Sequence, residues 1–149
     1  MKEILLMILI AIFSTQALYA TDGTAEPEDH VGDRWYTESF LRLGKNVFER
    51  NCMVCHGFNG EGIADDWQKP LADGTYPPPP LNGTAHTWHH PMSNLIRTIN
   101  KGGKGWGGQM PAFGEKLSDN EKIAVIAYFQ NWWPDEIYEA WLQRGGLSK

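Results

Sequence analysis

The sequence predicts an all-α domain of about four helices joined by long loops, and three observations carry that expectation. Phe40, Leu43, Gly44, Val47 and Phe48 recur at i, i+3, i+4, i+7 and i+8, the period of a helix with one apolar face. Val125, Tyr128, Phe129 and Trp132 repeat that pattern behind Ser118 and Glu121, an S-x-x-E capping box. Between the stripes, residues 58–84 are rich in Gly, Pro, Asp and Asn, with Pro77 to Pro80 in a row. Consecutive prolines fit neither a helix interior nor a central strand, so this stretch is a long, stiff loop.

Along the chain, residues 1–20 read as a signal peptide: Lys2, an apolar run from Ile4 to Phe13, then Ala17-Leu18-Tyr19-Ala20 for cleavage. The run is short for a membrane span, which takes ~20 residues, although an uncleaved anchor is the other reading. Residues 21–36, with Gly23, Pro27, Gly32 and several acids, are expected to form a flexible leader. The first helix starts near Thr37 as N-cap. Gly44 on its apolar face costs about 1 kcal/mol relative to Ala, which points to a second backbone crossing there. A second helix begins with Pro91 at its first position, buries Met92, Leu95, Ile96 and Ile99, and ends at Gly102-Gly103. The glycine-rich loop 102–108 leads to Gln109-Met110-Pro111-Ala112-Phe113. After the capped helix, Pro134 opens a short helix that Gly145-Gly146 ends. The organisation is therefore a domain over 37–133 followed by a helical extension over 134–149.

The chemistry sits in Cys52-Met53-Val54-Cys55-His56, a C-x-x-C-H string of the kind that attaches c-type haem. On one helical turn, two thiols three residues apart can each bond a vinyl group of one porphyrin. His56 then lies one turn from Cys52 and can coordinate the iron. Zinc would need four ligands, and the chain has only two cysteines. A thioredoxin-like pair expects a βαβ context, and no strand pattern follows Cys55. A structural disulfide over three residues would be strained and would constrain little of the unfolded chain.

The order of parts resembles class I cytochrome c. The resemblance rests on the helix with Gly44 and Phe48 leading into C-M-V-C-H, the later Q-M-P-A-F segment, and the helix with Val125 and Tyr128. It covers residues 37–133 and implies a cytochrome c-like fold whose loops wrap one covalently bound haem c, with Gly44 at the crossing of the first and last helices. It also implies a distal methionine. Met53 lies between the cysteines and Met92 on a helical apolar stripe. Met110, in a loop and followed by Pro111, matches the family's ligand. The cofactor-binding set is then Cys52, Cys55, His56 and Met110, with His56 and Met110 as iron ligands. A Pro-x-Leu carbonyl that receives the histidine N–H is matched by Pro79-Pro80-Leu81, with Pro79 or Pro80 as acceptor.

Function follows as an expectation: one-electron transfer by a soluble periplasmic monohaem cytochrome, with both axial positions closed, acting as a carrier and not as an enzyme. The alternative is a haem subunit or electron-accepting partner of a periplasmic oxidoreductase complex. A peroxidase-like enzyme or gas sensor would need an open iron position. His86, His89 and His90 raise a further reading, copper handling, against a plain role in a loop and helix cap. Expected partners are a redox-protein donor and acceptor, with the membrane reached only through partner complexes or an uncleaved anchor, and no small-molecule substrate. The formal net charge of −5 argues against nucleic acid. No acidic residue stands between Asp73 and Glu115, whereas Arg97, Lys101 and Lys104 do. That stretch is either an apolar, Pro/Gly-rich loop that simply lacks charge or the lining of the haem, where Arg97, Lys101 and Trp106 are candidate propionate partners; its cations also make it the expected docking face.

Overall fold

The computed structural model describes residues 29–148, so the expected signal peptide and the first part of the leader lie outside the described residues. Five α-helices follow in order: α1 (Glu38–Asn51), α2 (Met53–His56), α3 (Met92–Lys101), α4 (Asp119–Gln130) and α5 (Asp135–Gln143). Short 3-10 turns occupy His86–His89 and Lys104–Trp106. The described residues contain no strand, only isolated bridges at His30–Thr37 and Tyr76–Gly108. The expected all-α fold is the one observed.

α1 starts where its cap dictates. The Thr37 hydroxyl accepts the Phe40 N–H at 3.3 Å and satisfies one of the helix's free donors. Its buried face holds Gly44, Val47 and Phe48, while Leu43, expected on that face, is exposed. Gly44 is where α4 crosses. A Cβ there would lie 2.7 Å from both the Ala124 carbonyl carbon and the Tyr128 Cβ. Phe48 then packs edge-on against Trp132 and tilted against Tyr128, with centroids at 5.2 and 5.6 Å. Pairs of this kind add about 0.5–1.5 kcal/mol beyond area burial.

α4 opens on the full capping box: Ser118 Oγ accepts the Glu121 N–H, and the Glu121 carboxylate accepts the Ser118 N–H at 2.8 Å. Its residues are buried on several sides, because α1 covers one flank and the segments before α1 and after α4 cover another. Pro91 and Pro134 stand as N-caps, one residue outside their helices, so each fixes the entry angle without forming the first turn.

Residues 29–36 depart from the expectation of a flexible leader. Tyr36 is fully buried, and the Trp35 indole N–H donates to Gln130 Oε1 at 2.7 Å. Arg34 donates to the Trp133 carbonyl and to Asp135, and its guanidinium lies 4.1 Å above the Tyr138 ring. The Trp35 N–H donates to the Tyr138 hydroxyl at 2.9 Å. Composition suggested mobility, but three consecutive large side chains supply enough contact to order the segment. α5 is likewise part of the core: Tyr138 and Trp141 are buried, and the Trp141 indole donates to the His90 carbonyl.

Candidate functional site

The C-x-x-C-H string forms a helical turn of its own at the end of α1. Cys52 caps that helix, its N–H bonded to the Phe48 carbonyl at 2.8 Å, and its carbonyl accepts the His56 N–H at 2.9 Å. Cys52 and Cys55 thus sit one turn apart, both as free thiols, the first half-buried and the second exposed. Burial, with the neighbouring Cys55, pushes the Cys52 thiol up to about 11. A thiol raised in this way is a poor match to a thioredoxin-type nucleophile, whose pKa is lowered.

His56 is buried, and its Nδ1 lies 3.1 Å from the Pro79 carbonyl oxygen. A carbonyl only accepts, so Nδ1 carries the proton and Nε2 keeps its lone pair. Burial pulls the imidazole below its ordinary pKa, against a smaller opposing effect of the Pro79 carbonyl, and so favours the neutral, ligating form. The acceptor is Pro79 and not Pro80, whose carbonyl takes the Thr87 hydroxyl at 3.1 Å. Two further bonds brace the loop that brings Pro79 there. Leu81 N–H donates to Gly60, and the Trp133 indole donates to the Leu81 carbonyl at 2.7 Å.

Met110 lies half-buried in the loop after α3, packed against the core cluster. Its carbonyl accepts the Gly103 N–H at 2.9 Å, and the Gly102 backbone (φ +75°) comes so near Met110 and Pro111 that no Cβ fits. Met92 instead starts α3 and packs on the same core, with its N–H bonded to Gly146. Met53 sits inside the turn between the cysteines.

These residues suit a covalently held haem. Two free thiols stand on one turn, an imidazole leaves Nε2 available, and Val54, Phe58 and Ile63 are apolar yet exposed. Haem, when bound, supplies a one-electron iron couple, and its propionates supply anionic acceptors.

The histidine trio is not arranged as a metal centre. His86 stacks on Trp67 at 4.6 Å, His90 meets its edge at 5.3 Å, and His89 packs against Trp88. Among the described residues no group of three or more His, Cys, Asp or Glu is placed to hold a metal ion. Arg97 lies over the exposed Trp106 ring at 5.6 Å. Sequence reasoning missed one feature beside Met110. The Gln109 amide donates to Asp73 and Thr75, both at 2.8 Å, and the D-x-T spacing of an Asx turn was its available signal.

The family model described as cytochrome c oxidase, cbb3-type, subunit III, matches residues 40–129. Among curated proteins, a cbb3-type cytochrome c oxidase subunit FixP of Azorhizobium caulinodans is 32% identical over 87 residues, 58% of this chain and 25% of the relative. A thiosulfate dehydrogenase of Psychrobacter arcticus is 35% identical over 88 residues, 58% of this chain and 24% of the relative. The match therefore spans about a quarter of the length of these relatives. No solved structure gives a significant match.

Proposed function

This chain belongs to the cbb3-type cytochrome c oxidase subunit III family, a family of c-type cytochromes carrying covalently attached haem c, and from that premise we propose a one-electron carrier with His56 and Met110 as axial ligands. Cys52 and Cys55 are the attachment points. The observation that carries the reading is the bond from His56 Nδ1 to the Pro79 carbonyl. An outer partner of this kind fixes ring and tautomer and raises ligand basicity. With haem bound, the Met110 thioether would favour the ferrous state and leave no open site for oxygen chemistry, which suits a carrier and not an enzyme.

Export through residues 1–20 places the domain in the periplasm, where redox proteins are donor and acceptor. Among the described residues no helix is long and apolar enough to cross a membrane. The relatives support a second reading, in which this domain serves as the haem subunit of a larger oxidoreductase assembly, because the matched region is one part of much longer redox proteins.

The test is the absorption spectrum of the purified holoprotein during redox titration. A low-spin spectrum with a weak near-infrared thioether–Fe(III) band, abolished in Met110→Ala but kept in Met92→Leu, is expected. Acid–acetone should leave the haem on the chain. A high-spin ferric spectrum would assign an open site and an enzymatic or sensing role instead.

A further inference from the structure

The loop that carries Met110 contains Gly102, Gly103, Gly105, Gly107 and Gly108, so its backbone has little intrinsic stiffness and must be held from outside. Its inner edge is held by bonds within the loop and one to α3: Gly103 N–H donates to the Met110 carbonyl, and Gly108 N–H to the Gly103 carbonyl at 3.1 Å. Phe113 N–H reaches back to Ile99 at 2.9 Å. These bonds lie on the buried side of the loop.

The outer edge is held differently. Asp73 folds its own backbone into an Asx turn, with Oδ1 accepting from the Thr75 N–H and hydroxyl at 2.9 and 2.6 Å. The turn presents Asp73 Oδ2 and Thr75 Oγ1 side by side, and the Gln109 amide nitrogen donates to both at 2.8 Å. One residue on, Tyr76 N–H donates to the Gly107 carbonyl at 2.8 Å, completing a parallel bridge to Gly108. Asp73, Tyr76 and Gln109 are exposed, whereas the inner attachments are not. Local opening proceeds through the attachments that water can most readily replace. Here those are the bonds to the residue immediately before Met110.

We propose that Asp73, Thr75 and Gln109 form a latch that positions the Met110 loop and sets how often its thioether leaves the iron. This rests on the reading of Met110 as distal ligand. The hydrogen bonds of the latch join Asp73, Thr75 and Gln109 to one another, so it acts through the backbone between Gly107 and Met110. Asp73 is also the last acidic side chain before the acid-free run, and it is engaged in holding the turn. In the closed state the latch leaves the ligand set unchanged, so it governs lability more than potential.

The experiment is cyanide binding to the ferric holoprotein, followed by absorption, in wild type, Gln109→Ala and Asp73→Asn. Asparagine keeps one oxygen for the Asx turn but loses the second, which faces Gln109. Both variants should keep the near-infrared band and near-wild-type thermal midpoints. Both should bind cyanide about two- to tenfold faster, the range expected for losing hydrogen bonds that close a local opening. In a Met110→Ala background the same substitutions should add nothing. Wild-type rates in both variants would overturn the proposal, and so would equal acceleration in the Met110→Ala background. Persistence of the near-infrared band in Met110→Ala would instead defeat the ligand assignment, so the two failures are distinguishable.

Discussion

The molecule holds its two halves together by different means. Where α1, α4, α5 and residues 29–36 meet, large side chains are buried against each other: Tyr36, Phe48, Trp133 and Trp141 are all at most 2% exposed. Around residues 57–84 and 102–113 the structure is fixed by backbone hydrogen bonds and a few polar side chains, and Phe58, Ile63, Tyr76 and Trp106 stay exposed. Packing supplies the rigid frame on which the proximal turn is built. Loops supply Pro79 and Met110, and on the proposed ligand set small adjustments there would change the chemistry without unfolding the protein. The helical half should therefore fail by losing stability, and the loop half by altered ligand binding.

The sharpest test of that division is a large deletion in the packed half. Trp141→Ala removes a buried indole that touches Trp133 and Tyr138, contributes a bond to His90, and supports Gly146 against its ring. Chemical denaturation should show a loss of about 3–5 kcal/mol. Tyr76→Ala, with an exposed ring in the loop half, should stay within about 0.5 kcal/mol. Comparable losses for both would break the comparison.

Next in size is the helix crossing. Gly44→Ala drives a methyl group into the backbone of α4, and overpacking of this kind costs about 1–3 kcal/mol. Denaturation midpoints check it, and a neutral or stabilising result would mean that the helices can move apart freely. Alanine is the better helix former, so intrinsic propensity predicts the opposite sign.

That conflict between propensity and outcome is why Gly44 was legible in the sequence. A glycine on an apolar stripe has no local justification, so it signalled a close crossing. The capping box and the end of α3 at Gly102 were legible for similar reasons, since each residue type has a narrow set of physical uses, whereas the proline acceptor came from the resemblance, which left Pro79 and Pro80 both open. The order of residues 29–36 was not legible, because Arg34 and Trp35 find their partners about 100 positions away, in α4 and α5 and at Trp133. The latch at Gln109 was hidden in the same way: the turn at Asp73 is local, but its partner lies 36 residues on.

A smaller effect belongs to the exposed cations of the loop half. Lys101 and Lys104 are exposed, and among the described residues neither takes part in an ion pair. Arg97 rests over Trp106 nearby. If this acid-free face meets the redox partner, Lys101→Glu with Lys104→Glu should slow electron exchange at low ionic strength and change its salt dependence, with the potential nearly unchanged. Equal rates for variant and wild type with the physiological partner would remove this face from docking.

The smallest expected effect lies at the start of α4 and tests whether the packed half owes anything to charge. The Glu121 carboxylate accepts the Ser118 N–H and hydroxyl, both at 2.8 Å, and these bonds hold its pKa below the ordinary glutamate value. A carboxylate whose pKa is lower when folded than when unfolded binds fewer protons in the native state. Its contribution is complete above the unfolded pKa, about 4.3, and disappears as pH falls through the lowered native value. Glu121→Gln keeps an acceptor oxygen but removes the charge, together with its interaction with the helix N-terminus. The thermal midpoint of the variant should therefore lie slightly below wild type at neutral pH and converge with it in strong acid. Asp119 and Lys122, which pair across the same turn at 3.1 Å, are common to both proteins and cancel in the difference. A gap that widens on acidification would mean that the box is held by its neutral hydrogen bonds, and that packing alone sets the stability of this half.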